Sequence, residues 1–145
     1  MPSNHELFFE LPSFAVVGHT KAQNFPTLSY KGLKKMGKTV FPIDPSIEEV
    51  DGDKTFKDID SLPNKVSGII LEVPKAETKE WISKAAKAGI KDVWIHMQRD
   101  TEEALTLAKD NGMNVRTGTC AVMYVTPGLT YHSIHKFIMK LIGKY

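Results

Sequence analysis

The chain has 145 residues, one domain's worth, with 41% apolar residues and a formal charge of +2 from 19 basic and 17 acidic side chains. That is the make-up of an ordinary globular protein, and the scattered, balanced charge excludes a nucleic-acid binder built on one basic face. The single cysteine, Cys120, excludes an internal disulfide and any multi-cysteine metal site, and it fits a reducing, cytoplasmic setting.

No basic region followed by an apolar run opens the chain, so no secretory leader is expected. No apolar stretch approaches the ~20 residues that span a bilayer.

In chain order, the first strand is Phe14-Ala15-Val16-Val17, which runs straight into Gly18. A small polar loop follows, Gly18-His19-Thr20-Lys21-Ala22-Gln23-Asn24-Phe25-Pro26-Thr27. A helix over residues 28–36 then ends in Lys34-Lys35-Met36-Gly37. Lysines in a last turn favour the negative end of the helix dipole, and glycine takes the left-handed conformation that stops the helix. The second strand is Thr39-Val40-Phe41-Pro42-Ile43, leading into Asp44.

Residues 50–63 are polar and irregular, with a short extra strand expected near Thr55-Phe56 and a turn at Asp58 to Ser61. The next strand, Ser67 to Val73, runs into Pro74. Pro26 and Pro74 stand where a first-turn proline is tolerated. Trp81, Ile82 and Ala85 give the inward face of a helix that closes with Lys84 to Lys87 and Gly89, and Val93-Trp94-Ile95 is the strand after it.

Asp100 with Glu103 suggests a capping box for the following helix, whose inward face is Ala104, Leu105 and Ala108. Lys109 and Gly112 repeat the helix ending before Asn114-Val115-Arg116. Residues 129–143 read as an amphipathic helix, with Ile134, Phe137, Ile138, Leu141 and Ile142 on one face; it docks on the sheet or forms a homodimer contact.

Short, near-continuous apolar strands alternating with helices predict a single α/β domain over residues 1–145. Its expected core is an open, doubly wound, mostly parallel sheet of about five strands with helices on both faces, Rossmann-like in kind.

Residues 32–39 fit the P-loop expression letter for letter, Gly32 to Gly37-Lys38-Thr39. A P-loop needs a strand before it and a helix after it. Here the order is reversed, and Pro42 and Pro45 forbid a helix after Thr39. Gly37 is the helix stop instead.

In open α/β sheets ligands bind beyond the carboxyl ends of the strands. The loop after the first strand, leading to a helix N-terminus, suits a pyrophosphate. Gly18 stands alone, so the dinucleotide pattern G-x-G-x-x-G is absent. Asp44 nonetheless stands near where an NAD protein places its ribose-binding acid, which keeps a small NAD(P)-linked oxidoreductase in play. Val73-Pro74-Lys75, His96-Met97-Gln98 and Thr117-Gly118-Thr119-Cys120 line the same rim, and Val73 with Pro74 offers a flat apolar edge for an adenine.

The order and spacing of these pieces resemble the CoA-binding domain family, related to the N-terminal domain of the succinyl-CoA synthetase alpha subunit. The likeness runs from about Phe14 to Val125. It rests on Val16-Val17-Gly18 with its polar loop, Tyr30, Gly37, and Val40 to Pro45. It continues through Ser61-Leu62-Pro63, Val93-Trp94-Ile95, Glu102-Glu103-Ala104 and Cys120.

The resemblance implies a bound coenzyme A. Its pyrophosphate would lie on Gly18, His19, Thr20 and Lys21 and the helix start at Pro26 and Thr27. Its adenine would lie near Asp44, Pro45, Val73 and Pro74, and its pantetheine arm would pass His96, Met97 and Gln98. His19-Thr20 stands where Ala-Ser is commoner in the family, Phe25 where an arginine is frequent, and Asp44 where an asparagine is frequent. Lys21, Lys31 or Lys75 would compensate for the missing arginine.

A synthetase of this lineage needs further domains that this chain is too short to contain. No nucleophile elbow, paired catalytic acids or metal-ligand spacing is visible. The expectation is therefore a non-catalytic cytoplasmic module that binds or senses CoA or an acyl-CoA. Three rivals stay open: the oxidoreductase, an acyl-CoA-handling subunit in which His96 is an acid or base, and an interaction module with a vestigial pocket. Cys120 is either a buried apolar residue or a thiol that forms a mixed disulfide with CoA.

Overall fold

A computed structural model describes residues 7–19, 27–96 and 99–117. Its main sheet holds β1 (Ser13–Val17), β2 (Thr39–Ile43), β5 (Gly68–Leu71), β6 (Asp92–Ile95) and β7 (Asn114–Arg116), all parallel, in the order β2-β1-β5-β6-β7. A two-stranded hairpin of β3 (Glu49–Val50) and β4 (Asp53–Lys54) lies between β2 and β5 in sequence. The helices are α1 (Thr27–Lys35), α2 (Thr78–Lys87) and α3 (Glu102–Asp110).

Strand alternation sorts the apolar residues onto two faces. Phe14, Val16, Ile70 and Trp94 pack with Tyr30 and Leu33 of α1 and with Phe8 and Phe9. Ala15, Val17, Ile69, Leu71, Val93 and Ile95 pack with Trp81, Ile82 and Ala85 of α2 and Ala104 and Ala108 of α3. Helices therefore cover both faces, as the continuous apolar strands require. The chain winds outward from the middle in two directions, and the strand order reverses between β1 and β5.

Gly37 follows α1 with φ +77 and Gly89 follows α2 with φ +78, the left-handed endings that the Lys-Gly pattern predicts. Gly32 lies inside α1 and Thr39 opens β2, so the P-loop match is a helix-to-strand connection. Phe56 forms an isolated parallel bridge with Ile43: its N–H donates to Pro42 O and its carbonyl accepts from Asp44 N, both at 2.9 Å. This single rung is the short strand expected near Thr55-Phe56. The turn at Asp58 to Ser61 is a 3₁₀ turn, Ile59–Ser61, closed by reciprocal Asp58 and Ser61 bonds.

Two local expectations are corrected. The cap of α3 is Thr101, whose hydroxyl accepts from Ala104 N at 3.0 Å, rather than Asp100 with Glu103, because the helix begins one residue later than that box requires. Pro74 precedes a single 3₁₀ turn, Lys75–Glu77, and α2 starts only at Thr78. The amphipathic segment 129–143 lies outside the described residues.

α1 is tied to the hairpin by charge. Tyr30 OH donates to Asp53 Oδ2 at 2.5 Å, and Lys34 Nζ lies 2.7 Å from the same oxygen. Lys34 and the Tyr30 hydroxyl hold the Asp53 carboxyl below the usual range, while burial and Asp53 push the Tyr30 phenol up.

Candidate functional site at the carboxyl rim of the sheet

The ladder continues one residue beyond each central strand. Gly18 N donates to Ile43 O at 2.9 Å, Glu72 N to Val17 O at 3.0 Å, and His96 N to Leu71 O at 3.0 Å. These bonds set Asp44, Gly18, Glu72 and His96 side by side along one rim. The point of strand-order reversal falls between Gly18 and Glu72, where ligands bind in open α/β sheets. α1 begins after the loop that leaves β1, and its first turn carries no acidic residue, so its positive end is not neutralised from within the helix.

His19 reaches across the reversal point. Its Nδ1 lies 2.7 Å from Oε2 of Glu77, in the 3₁₀ turn that follows β5. Next to it, Glu72 is buried at the tip of β5, and Oε1 lies 3.1 Å from Nδ1 of His96 at the tip of β6. The separation is within hydrogen-bond reach, but the two groups are not aligned and Nδ1 has no hydrogen-bond partner among the described residues.

Burial raises the Glu72 carboxyl to about 7, against the opposing pull of the Ser29 hydroxyl and the Arg99 charge. Burial, with Arg99 second, holds the His96 imidazole below its ordinary value. Ser29 is fully buried in the first turns of α1. The turn carrying His96 is fixed by Arg99 N donating to His96 O at 3.0 Å and by Thr78 Oγ1 donating to Arg99 O at 2.7 Å.

Comparison with known proteins agrees with this architecture. Residues 12–126 match the family described as the CoA binding domain. The chain belongs to the CoA-binding domain family. It is 28% identical over 130 residues to the alpha subunit of ADP-forming acetate–CoA ligase II of Pyrococcus furiosus, covering 79% of this chain and 28% of that subunit. The chain thus spans little more than a quarter of the curated relative it matches.

Among solved structures it is similar to a hypothetical protein from Pyrococcus horikoshii OT3, with 27% identity, a TM-score of 0.72, and coverage of 82% of this chain and 84% of that one. It is also similar to the dinucleotide-forming acetyl-coenzyme A synthetase 1 of Ca. Korarchaeum cryptofilum. There the identity is 26% and the TM-score 0.59, over 72% of this chain and 25% of that one.

Of the residues singled out in this CoA-binding domain, Gly18, His19, Asp44, Pro45, Pro74, Lys75 and His96 follow the carboxyl ends of β1, β2, β5 and β6. Thr27 is the first residue of α1. Thr20, Lys21, Pro26, Met97, Gln98 and Cys120 lie outside the described residues.

Two roles need correction. Val73 is fully buried in the core with Trp81, Ile82 and Ala85 of α2, so its side chain does not form the apolar edge expected from Val73 and Pro74. The Asp44 side chain is also fully buried, and its Oδ1 accepts from Ser46 N at 2.8 Å and Ser46 Oγ at 2.5 Å. That oxygen closes its own turn instead of facing a ribose.

Glu72, Glu77, Arg99 and Ser29 were not singled out from the sequence. For Glu72 a signal existed: a lone carboxylate in the apolar run Ile69-Ile70-Leu71-Glu72-Val73. The other three become recognisable only when the strand order is known. Among the described residues no helix is long and apolar enough to cross a membrane, and no cluster of His, Cys, Asp and Glu is placed to hold a metal.

Proposed function

We propose that this chain binds coenzyme A or an acyl-CoA across the reversal point between β1 and β5, as a cytoplasmic binding or sensing module. The observation that carries this reading is the alignment of Gly18, His19 and the acid-free first turn of α1 beside that point, within a chain of the CoA-binding domain family. The diphosphate rests on Gly18, His19, Thr20 and Lys21 and on the helix start at Pro26 and Thr27, where amides and the helix dipole favour an anion. Lys75, exposed and close to Pro74, adds charge for phosphate.

The adenine lies against Pro45 and Pro74, over the buried Asp44 and Val73. The pantetheine arm follows His96, Met97 and Gln98. The chain works as one domain over residues 1–145, and the amphipathic pattern at 129–143 serves to dock on the sheet or, alternatively, to contact a second copy.

Titration calorimetry with CoA tests the reading. Saturable heat with a rise in melting temperature is expected. No heat and no thermal shift at millimolar CoA overturns it.

A second reading, an acyl-CoA-handling subunit of a larger enzyme, is favoured by the likeness to the ligase alpha subunit, of which this chain matches 28%. The NAD(P) alternative is weaker, since the Asp44 oxygen that would be asked to hold a ribose is engaged with Ser46.

A further inference from the structure

Glu72 is a buried carboxyl at the part of the rim where the ligand brings negative charge. Its amide donates to Val17 O at 3.0 Å, so it stands beside Gly18 at the reversal point. Ile70, two residues earlier on the same side of β5, packs with Tyr30 and Leu33 of α1. The Glu72 side chain follows it to that face and meets the hydroxyl of Ser29, the third residue of α1. The carboxyl therefore lies under the first turn of α1, next to the helix end on which the diphosphate is placed.

The groups around Glu72 leave its charge adjustable. His96, at the tip of β6, brings Nδ1 to 3.1 Å from Oε1 without an aligned hydrogen bond, and burial keeps its imidazole neutral at pH 7. Ser29 and Arg99, the latter in the turn after β6, favour the carboxylate, but burial outweighs both and raises the group to about 7. His19 and Glu77, next along the rim, are paired with each other.

A carboxylate and a diphosphate at one helix end repel each other. A carboxyl that keeps its proton removes the repulsion and offers a donor instead. We propose that CoA binding on this rim draws a proton from solvent onto Glu72, so that ligand and proton bind together. The proton forms an O–H bond on the carboxylate and cancels its charge; the ligand loses no bond. This inference rests on the CoA reading above and adds to it a dependence of affinity on pH. By linkage, a ligand that raises the proton affinity of Glu72 is itself held less tightly as pH rises through 7.

Titration calorimetry of the full chain with CoA at pH 8, in two buffers of different ionisation enthalpy, counts the protons taken up. Glu72→Gln in the same buffers subtracts the ionisation of CoA itself, and its amide imitates the protonated acid. The difference is expected to approach about one proton per CoA. Wild-type affinity is expected to fall about threefold to tenfold more than that of Glu72→Gln between pH 6.5 and pH 8. His19→Gln keeps the uptake. Infrared difference spectra of the wild type at pH 8 need no variant: a protonated-carboxyl band grows as CoA is added.

CoA binding without this uptake, uptake that survives Glu72→Gln, or uptake lost in His19→Gln overturns the proposal and leaves the binding reading standing. If Glu72→Gln no longer binds CoA, infrared spectra decide, and a band that does not grow overturns the proposal. Absence of CoA binding to the wild type overturns both.

Discussion

His19 Nδ1 and Glu77 Oε2 lie 2.7 Å apart although 58 residues separate them in the chain. The contact joins the loop leaving β1 to the turn leaving β5, across the line where the sheet reverses its order. Both side chains are just over a quarter exposed, so the pair adds little to stability. A double-mutant cycle of His19→Ala and Glu77→Ala in urea is expected to give a coupling of about 0.5 kcal/mol. CoA affinity responds more strongly: Glu77→Gln, by freeing the imidazole, weakens binding by about threefold to tenfold in calorimetry. An unchanged affinity in that variant removes the pair from the ligand site.

Glu72 gives the fold a recognisable pH signature. Its carboxyl rises from 4.5 to about 7 on folding. Between these values the folded state binds more protons than the unfolded chain, so this group's contribution is full below pH 4.5 and is lost as pH rises through about 7. Glu72→Gln removes that slope and gains on the wild type at pH 8 relative to pH 5, by on the order of 3 kcal/mol at most. His96, held low, acts in the opposite sense, and its contribution is lost as pH falls below its ordinary range. Urea melts of both proteins across pH 5 to 8 measure the difference; parallel curves contradict the buried acid.

Gly68 opens β5 beneath the aromatic layer. A Cβ there meets Leu11 Cδ1 at 3.0 Å, Phe8 Cζ at 3.1 Å and Phe14 Cδ1 at 3.2 Å. The rings around it already touch, with Phe8 at 5.3 Å from Phe14 and 5.5 Å from Trp94 between centroids, so they have little room to give. Gly68→Val is expected to cost about 3 kcal/mol and Gly68→Ala about 1 kcal/mol, read as a fall in melting temperature. An Ala variant as stable as the parent shows that the Leu11 end of the layer moves aside.

Thr101→Ala tests the corrected helix start. Loss of the bond to Ala104 N is expected to cost about 1 kcal/mol, whereas Asp100→Ala, outside the cap, costs less than half of that. The reverse ranking restores the Asp100 box.

Tyr30→Phe separates burial from bonding in α1. The ring stays in place, and the bond to Asp53 is lost; the expected cost is about 1–2 kcal/mol in denaturant melts. Lys34 still pairs Asp53 in that variant, so the hairpin remains docked.

Much of this was legible in the sequence because it depends on local chemistry. The Lys-Gly endings marked the close of α1, α2 and α3, and the apolar runs marked β1, β5 and β6 because a sheet covered on both faces has no polar side to show. The same local logic turned the Gly32-to-Thr39 match away from phosphate.

The pairs His19–Glu77 and Glu72–His96 were hidden for a different reason. Each joins residues from separate connections, brought together only by strand order, and no spacing in one dimension encodes that. Val73 and Asp44 misled because position beyond a strand does not say which way a side chain turns.

One remaining consequence lies at the outer border of the sheet. Among the described residues the one rung beyond β2 is Phe56, whose amide occupies the Pro42 carbonyl, and Pro42 has no amide hydrogen of its own to offer. A stray extended segment from another molecule meets a missing donor and a used acceptor at that place. A proline on the border strand thus works as a stop against stacking of one molecule's sheet onto the next, which guards the chain from fibrous association when it is crowded.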